Sequence, residues 1–240
     1  MNQWTASLIQ QLDDEGQRSV ARRGLVGHYV AGTYRTIARP IATRQIIMRA
    51  KIVEFLWGMD AVANMLVTIP ERYINAFLRA FGATVAEDAI VGDNLRMATI
   101  HVNRFEPLTI GKSVNTGRRL IFDLSAEVTI GDHCGLGNDT AYISHTDFAR
   151  SPLKAELFPV RSAPIRIGRG AFIGSNTMVN SGVTIGQCAV IGANSVVLSN
   201  IPPYCFAAGS PAKVIREFDR SKIPPFNEAE AFIIPEGTTD

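Results

Sequence analysis

IRIGRGAFIGSNTMVNSGVTIGQCAVIGANSVVLSN, residues 165–200, decides the fold. Ile167, Ile173, Val179, Ile185, Ile191 and Val197 stand six apart, and Gly168, Gly174, Gly186 and Gly192 directly follow four of them. Four positions after each of the first five come Ala171, Thr177, Val183, Ala189 and Ser195, mostly small residues. A helix repeats every 3.6 residues and a strand every two, so neither explains this pattern. A six-residue period fits a parallel β-helix, in which each hexad is one short strand plus one turn. The aliphatic residue points into a narrow prism, and the glycine after it is expected to let the backbone bend at the corner.

The register runs backwards from Ile167. Ile130-Gly131 carries it, flanked by Leu124, Leu136 and Tyr142, and Ile110-Gly111 carries it again. Val85, Val91-Gly92 and Met97 are its earliest trace. The steps from 91 to 110 and from 110 to 130 are each close to three hexads, so the prism is triangular, with about five coils rising about 4.8 Å each. Between Tyr142 and Ile167 the period fails. Residues 144–165, polar and proline-containing, read as an excursion loop from a corner, where a rigid scaffold tends to carry function.

The remainder divides around this prism. Residues 1–82 read as a helical region, 83–200 as the β-helix with its 144–165 loop, and 201–240 as a tail. Pro70-Glu71 opens a short helix stopped by Gly82, whose apolar residues Tyr73, Ile74, Phe77, Leu78 and Phe81 recur at three and four. That face is expected to cap the first coil, whose end would otherwise expose apolar core and unpaired backbone. In the tail, Pro211–Arg216 is expected to form a terminal strand or helix.

At 240 residues and 46 % apolar composition the chain can bury a core without disulfide or metal. A formal net charge of +2 gives no case for a nucleic-acid partner. Charge is uneven, however: eight Lys or Arg and no Asp or Glu lie between Arg18 and Lys51. That stretch reads first as a solvated helical face and second as an anionic or peripheral-membrane docking surface. Cys134, Cys188 and Cys205 are odd in number and lack ligand spacing, so thiols in a reducing cytoplasm are expected. The start MNQWTASLIQQLDDEG has no secretory-signal pattern, and Arg49, Lys51, Glu54 and Asp60 interrupt the apolar stretch 46–70 before it could span a bilayer.

The hexads, ISHTD at 143–147, and the run from Ile165 through PAKVIR at 211–216 resemble the hexapeptide-repeat acyltransferases, especially the galactoside, maltose, xenobiotic and polysaccharide O-acetyltransferases. The resemblance covers residues 85 to about 220. It implies a left-handed β-helix, homotrimers, and acetyl-CoA bound between subunits, with no metal. It also implies acetyl transfer to a sugar or glycan hydroxyl, and the transfer is expected to be direct because no cysteine or serine apart from Ser144 adjoins His145 as a covalent nucleophile. An N-acyltransferase of an amino-sugar, or a non-catalytic trimeric scaffold, remain the alternatives.

By the same resemblance His145 is the general base. Its position where the hexads stop suits an imidazole that takes a proton from an attacking hydroxyl. Asp147 and Asp123 are candidates to orient the ring, and Asp147 also to meet substrate. Asn115 is the candidate polar contact to the acceptor, and Phe172 stands where many relatives carry Trp. Gly174 and Ser175 are expected to supply a backbone N–H to the oxyanion, Ala193 to let pantetheine lie close, and Lys213 and Arg216 to hold CoA phosphates. Ser144 should point away from His145 along the strand. His133 reads as a solvated corner residue, His101 in an irregular early coil could line the groove or cap a turn, and His28 has no chemical company; none forms a zinc pair.

Overall fold

The computed structural model describes residues 39–99, 104–147 and 160–222. The chain divides into two compact units, Met1–Met48 and Arg49–Asp240. The described part of the first is the opening of helix α1 (Arg39–Met65), and the second holds all the rest. His28, His101, the loop residues 148–159 and the last eighteen residues lie outside the described ones.

The second unit winds a left-handed parallel β-helix with three faces. On the first face β1 (Thr84–Val85), β3 (Leu108–Ile110), β6 (Val128–Ile130), β11 (Ile165–Ile167) and β14 (Thr184–Ile185) stack in order. The second face begins with the bridge from Ile90 to Asn115. It continues through β4 (Asn115–Thr116), β7 (Gly135–Leu136), β12 (Phe172–Ile173), β15 (Val190–Ile191) and β17 (Cys205–Gly209). The third holds β2 (Arg96–Ala98), β5 (Ile121–Asp123), β8 (Ala141–Tyr142), β13 (Met178–Val179) and β16 (Val196–Val197).

Parallel pairing without slip turns the hexad pattern into three vertical columns. Val85, Ile110, Ile130, Ile167 and Ile185 align on the first face. Thr116, Leu136, Ile173, Ile191 and Ala207 align on the second. Met97, Phe122, Tyr142, Val179 and Val197 align on the third. All but Met97 are buried, and the Phe122 and Tyr142 rings stack at 5.0 Å. Phe122, not Leu124, therefore fills the third-face position. The coil between Ile110 and Ile130 is two residues longer than three hexads, which displaces a register projected by sixes. The small residues Ala171, Thr177, Val183, Ala189 and Ser195 are all buried, filling the corners where large side chains would not fit.

The glycines work differently from the expectation of a bend. The left-handed conformation falls two residues later, on Asn176 (φ 56), Cys188 (φ 53) and Asn194 (φ 58) among others. What demands glycine is the neighbouring coil: a Cβ on Gly168 would lie 2.6 Å from the Gln187 nitrogen, and one on Gly174 would strike Ala193 backbone. Missing bulk, rather than conformational freedom, selects the residue here.

Helix α2 (Glu71–Ala80) forms where the capping helix was expected and buries Tyr73, Ile74, Phe77 and Leu78. Phe77 and Phe81 lie 4.9 Å apart, with Phe105 edge-on to Phe81. Asn75 Nδ2 donates to Ala89 O at 2.6 Å and Arg79 Nε to Val85 O at 2.8 Å, so the helix also satisfies carbonyls of the first coil. At the other end β18 (Ala212–Glu217) runs antiparallel to β17, resolving the strand-or-helix choice for PAKVIR. After β8 the chain leaves the prism: β9 (His145–Thr146) pairs antiparallel with β10 (Arg161–Ser162) and rejoins at β11.

Candidate functional site

His145 stands at the first residue after the coil geometry breaks, and its side chain is 31 % exposed. The ring Nδ1 bonds Asp123 Oδ2, and the His145 backbone N–H donates to the same oxygen at 2.9 Å. Asp123 is 1 % exposed. Its Oδ1 accepts from Ser125 N–H at 3.1 Å and Ser125 Oγ at 2.9 Å. Burial by itself pushes this carboxyl pKa up. The donors His145, Ser125 and Thr99 outweigh that and hold it below the ordinary carboxylate value. The result is a buried carboxylate that places the imidazole proton on Nδ1 and leaves the Nε2 lone pair to act.

Strand alternation builds this arrangement. Asp123 ends β5 on the coil below His145, where its carboxylate meets the corner above. Asp147, two residues after His145, is exposed and is not the residue bonded to the ring. Between the two candidate orienters, then, the contact belongs to Asp123. Ser144 points inward as expected: it is fully buried, donates to Asp123 O at 2.8 Å and accepts from Ala126 N–H at 3.0 Å. Its hydroxyl is committed and shielded.

A second feature lies on the second face. A groove of ≈ 410 Å³ is lined by Asn115, His133, Gly135, Asn138, Phe172 and Ser175 among others. Asn115 and Phe172 are outward residues of β4 and β12, and Phe172, 49 % exposed, lies over Gly135. A Cβ on Gly135 would meet the Phe172 ring at 2.8 Å, so the glycine makes the ring's bed. His133 is a corner residue with φ 58, half-buried in this groove rather than merely solvated. The sequence reading also missed Asn138, whose N–H donates to Ser175 Oγ at 3.2 Å. Its position on the turn of the coil below Ser175 was the available signal. His145 does not line the groove. One chain therefore brings together Asn115, Phe172 and Ser175, but not these with the histidine.

The turns carrying Ser175 and Ala193 stack on successive coils at one prism edge. Gly174 N–H is spent on Ile191 O at 2.8 Å, so it cannot serve an oxyanion; Ser175 N–H takes no ladder bond among the described residues. Lys213 and Arg216 are exposed on β18, opposite Ala208 and Phe206 of β17. The Cys134 thiol, also on the groove wall, is pushed up to about 12 by burial, so it is a protonated, packed group.

This prism matches known proteins. The bacterial transferase hexapeptide model (six repeats) matches residues 164–199. Galactoside O-acetyltransferase of Escherichia coli (strain K12) is 33 % identical over 61 % of this chain and 70 % of its own length. The chain belongs to the hexapeptide-repeat acetyltransferases. Within that family, the putative colanic acid biosynthesis acetyltransferase of Escherichia coli (strain K12) is 28 % identical, over 69 % of this chain and 86 % of its own. A solved galactoside acetyltransferase in complex with coenzyme A superposes with TM-score 0.57 at 28 % identity, covering 78 % of this chain and 88 % of that one. Acetyltransfer is thus the family chemistry to which the geometry answers.

Proposed function

We propose that the protein is an acetyl-CoA-dependent O-acetyltransferase whose acceptor is a sugar or glycan hydroxyl. The pair of His145 and buried Asp123 carries this reading. His145 Nε2 removes the acceptor's hydroxyl proton as its oxygen attacks the thioester carbonyl. The tetrahedral oxyanion takes a hydrogen bond from Ser175 N–H and then collapses, breaking the carbon–sulfur bond. The CoA thiolate leaves with the proton that the imidazolium returns. Asp123 stays ionised and offsets the charge on the ring while the proton is held there.

Transfer is direct because the neighbouring nucleophiles are occupied. Ser144 is buried and hydrogen-bonded at both ends, and Cys134 is protonated and packed. In this reading Asn115 and Phe172 receive the acceptor, Ala193 gives the pantetheine arm close approach, and Lys213 and Arg216 meet the phosphates. The galactoside O-acetyltransferase at 33 % identity supports a sugar hydroxyl, and the CoA complex of the solved relative supports the donor. His145 does not line its own chain's groove, and in this reading it meets the acceptor in the groove of a second copy. A homotrimer in a reducing compartment completes the reading, in keeping with three free thiols.

The test is thiol release from acetyl-CoA across hydroxyl-only and amino-bearing sugars, with product masses. Wild type should acetylate hydroxyl acceptors, and His145→Ala should lose about 10²- to 10⁴-fold in kcat with its far-ultraviolet spectrum unchanged. Undiminished release from the variant would remove His145 as base; exclusive acetylation of amines would overturn the hydroxyl acceptor.

A further inference from the structure

Helix α1 leaves its largest apolar side chains in water. Ile52 is 53 % exposed, Phe55 88 %, Leu56 55 % and Trp57 68 %. Earlier in the same helix Ile41 is 51 % and Met48 61 % exposed. Single exposed leucines are ordinary on a protein surface, but a contiguous aromatic and aliphatic row is not. Ile52, Phe55 and Leu56 stand three and four residues apart on one helical stripe, while Trp57, two residues after Phe55, faces the other side.

Charge frames the stripe. At about 100° per residue, Lys51 falls on one side of it and Arg49 on the other. Both are exposed, and among the described residues no carboxylate pairs with them. The first acid in this helix, Glu54, is engaged by Arg104 at 2.8 Å. The stripe ends where the backbone turns at Gly58 (φ 78), beyond which Val62, Ala63 and Leu66 are buried.

We propose that this stripe is a peripheral anchor that lies in the interface of an anionic phospholipid bilayer. Ile52, Phe55 and Leu56 would enter the acyl boundary while Arg49 and Lys51 extend to the phosphates, the layout of an interfacial helix. Its occupant is a lipid surface rather than a second copy, because two such stripes facing each other bring cationic rims together without an acid to compensate. Spanning is a different matter: no helix of the described residues is long and apolar enough to cross a membrane. The anchor would hold the enzyme where acceptors are carried on lipid. Membrane binding itself does not depend on the acetyl-transfer reading.

Vesicle flotation of the full chain tests it, with phosphatidylcholine alone against phosphatidylcholine mixed with phosphatidylglycerol. In a Trp4→Phe, Trp57→Phe, Ile52→Trp background the sole indole lies on the stripe. The protein should float with the anionic vesicles, detach as salt rises, and blue-shift that indole's emission on binding. Phe55→Ser with Leu56→Ser, or separately Arg49→Glu with Lys51→Glu, should lower the bound fraction by about tenfold. Both variants should keep thiol release toward a soluble acceptor, a readout that fails separately if the acetyl-transfer reading is wrong. Absence of flotation would overturn the proposal. So would an emission shift that follows protein concentration without lipid, since that marks self-association.

Discussion

Asp123 gathers the His145 backbone N–H, the His145 ring and both donors of Ser125 on two carboxylate oxygens. A carboxylate so used is a positioning residue, since it acts on the substrate only through the imidazole. Asp123→Asn keeps the shape but allows the ring to flip to the other tautomer. It should lower kcat about tenfold to a hundredfold with KM for acetyl-CoA unchanged, and steady-state kinetics reads that split. The same carboxylate enters stability. Because its folded pKa lies below the unfolded value, its bonds contribute fully above about pH 4 and that contribution is lost as pH falls through the folded pKa. Wild type should therefore melt above Asp123→Asn at neutral pH, with the gap narrowing in acid, as thermal unfolding followed from pH 7 down to pH 3 would reveal. The sequence offered Asp147 and Asp123 equally. Only the pairing of β5 beneath β8 brings Asp123 to the ring, because contact between coils depends on how many residues each corner inserts.

At the scale of an element, each corner is a steric match between stacked coils. Gly168→Ala should cost about 1–3 kcal/mol in denaturant unfolding, since its Cβ would press on the Gln187 nitrogen at 2.6 Å and backbone cannot step aside as a side chain can. An unchanged midpoint would show that the coils can separate there. The hexads displayed which residues face inward because a period of six survives any sliding of one coil on another. They did not display the role of glycine. A local pattern looks the same whether the residue is selected for its φ or for its missing Cβ. The capping helix was legible for a similar reason: Tyr73, Ile74, Phe77, Leu78 and Phe81 need only helical spacing to be seen as one face. The antiparallel β18 was not, because PAKVIR carries neither a clear period of two nor one of 3.6.

In the whole molecule, His145 and the groove of Asn115 and Phe172 belong to different places on one chain. If the site forms between copies, coexpressed His145→Ala and Asn115→Ala chains should recover thiol release that neither homo-oligomer has. Light scattering should give a mass three times that of the 26.1 kDa chain. No recovery from mixed assemblies would mean that base and acceptor groove work within one subunit. The six-residue repeat by itself determined the prism and the inward residues of its regular coils, and the near-eighteen spacing of coils gave three sides, while inserted residues put Phe122 where the projected register had Leu124. It also marked His145, by the place where the period fails. Tertiary structure decided the rest: that Asp123 holds the ring, that Gly174 N–H is spent, that Phe172 beds on Gly135, and that Phe55 and Trp57 stand in water. Each of those is a relation between coils or faces distant in sequence, and inserted corner residues set such relations without leaving a periodic trace.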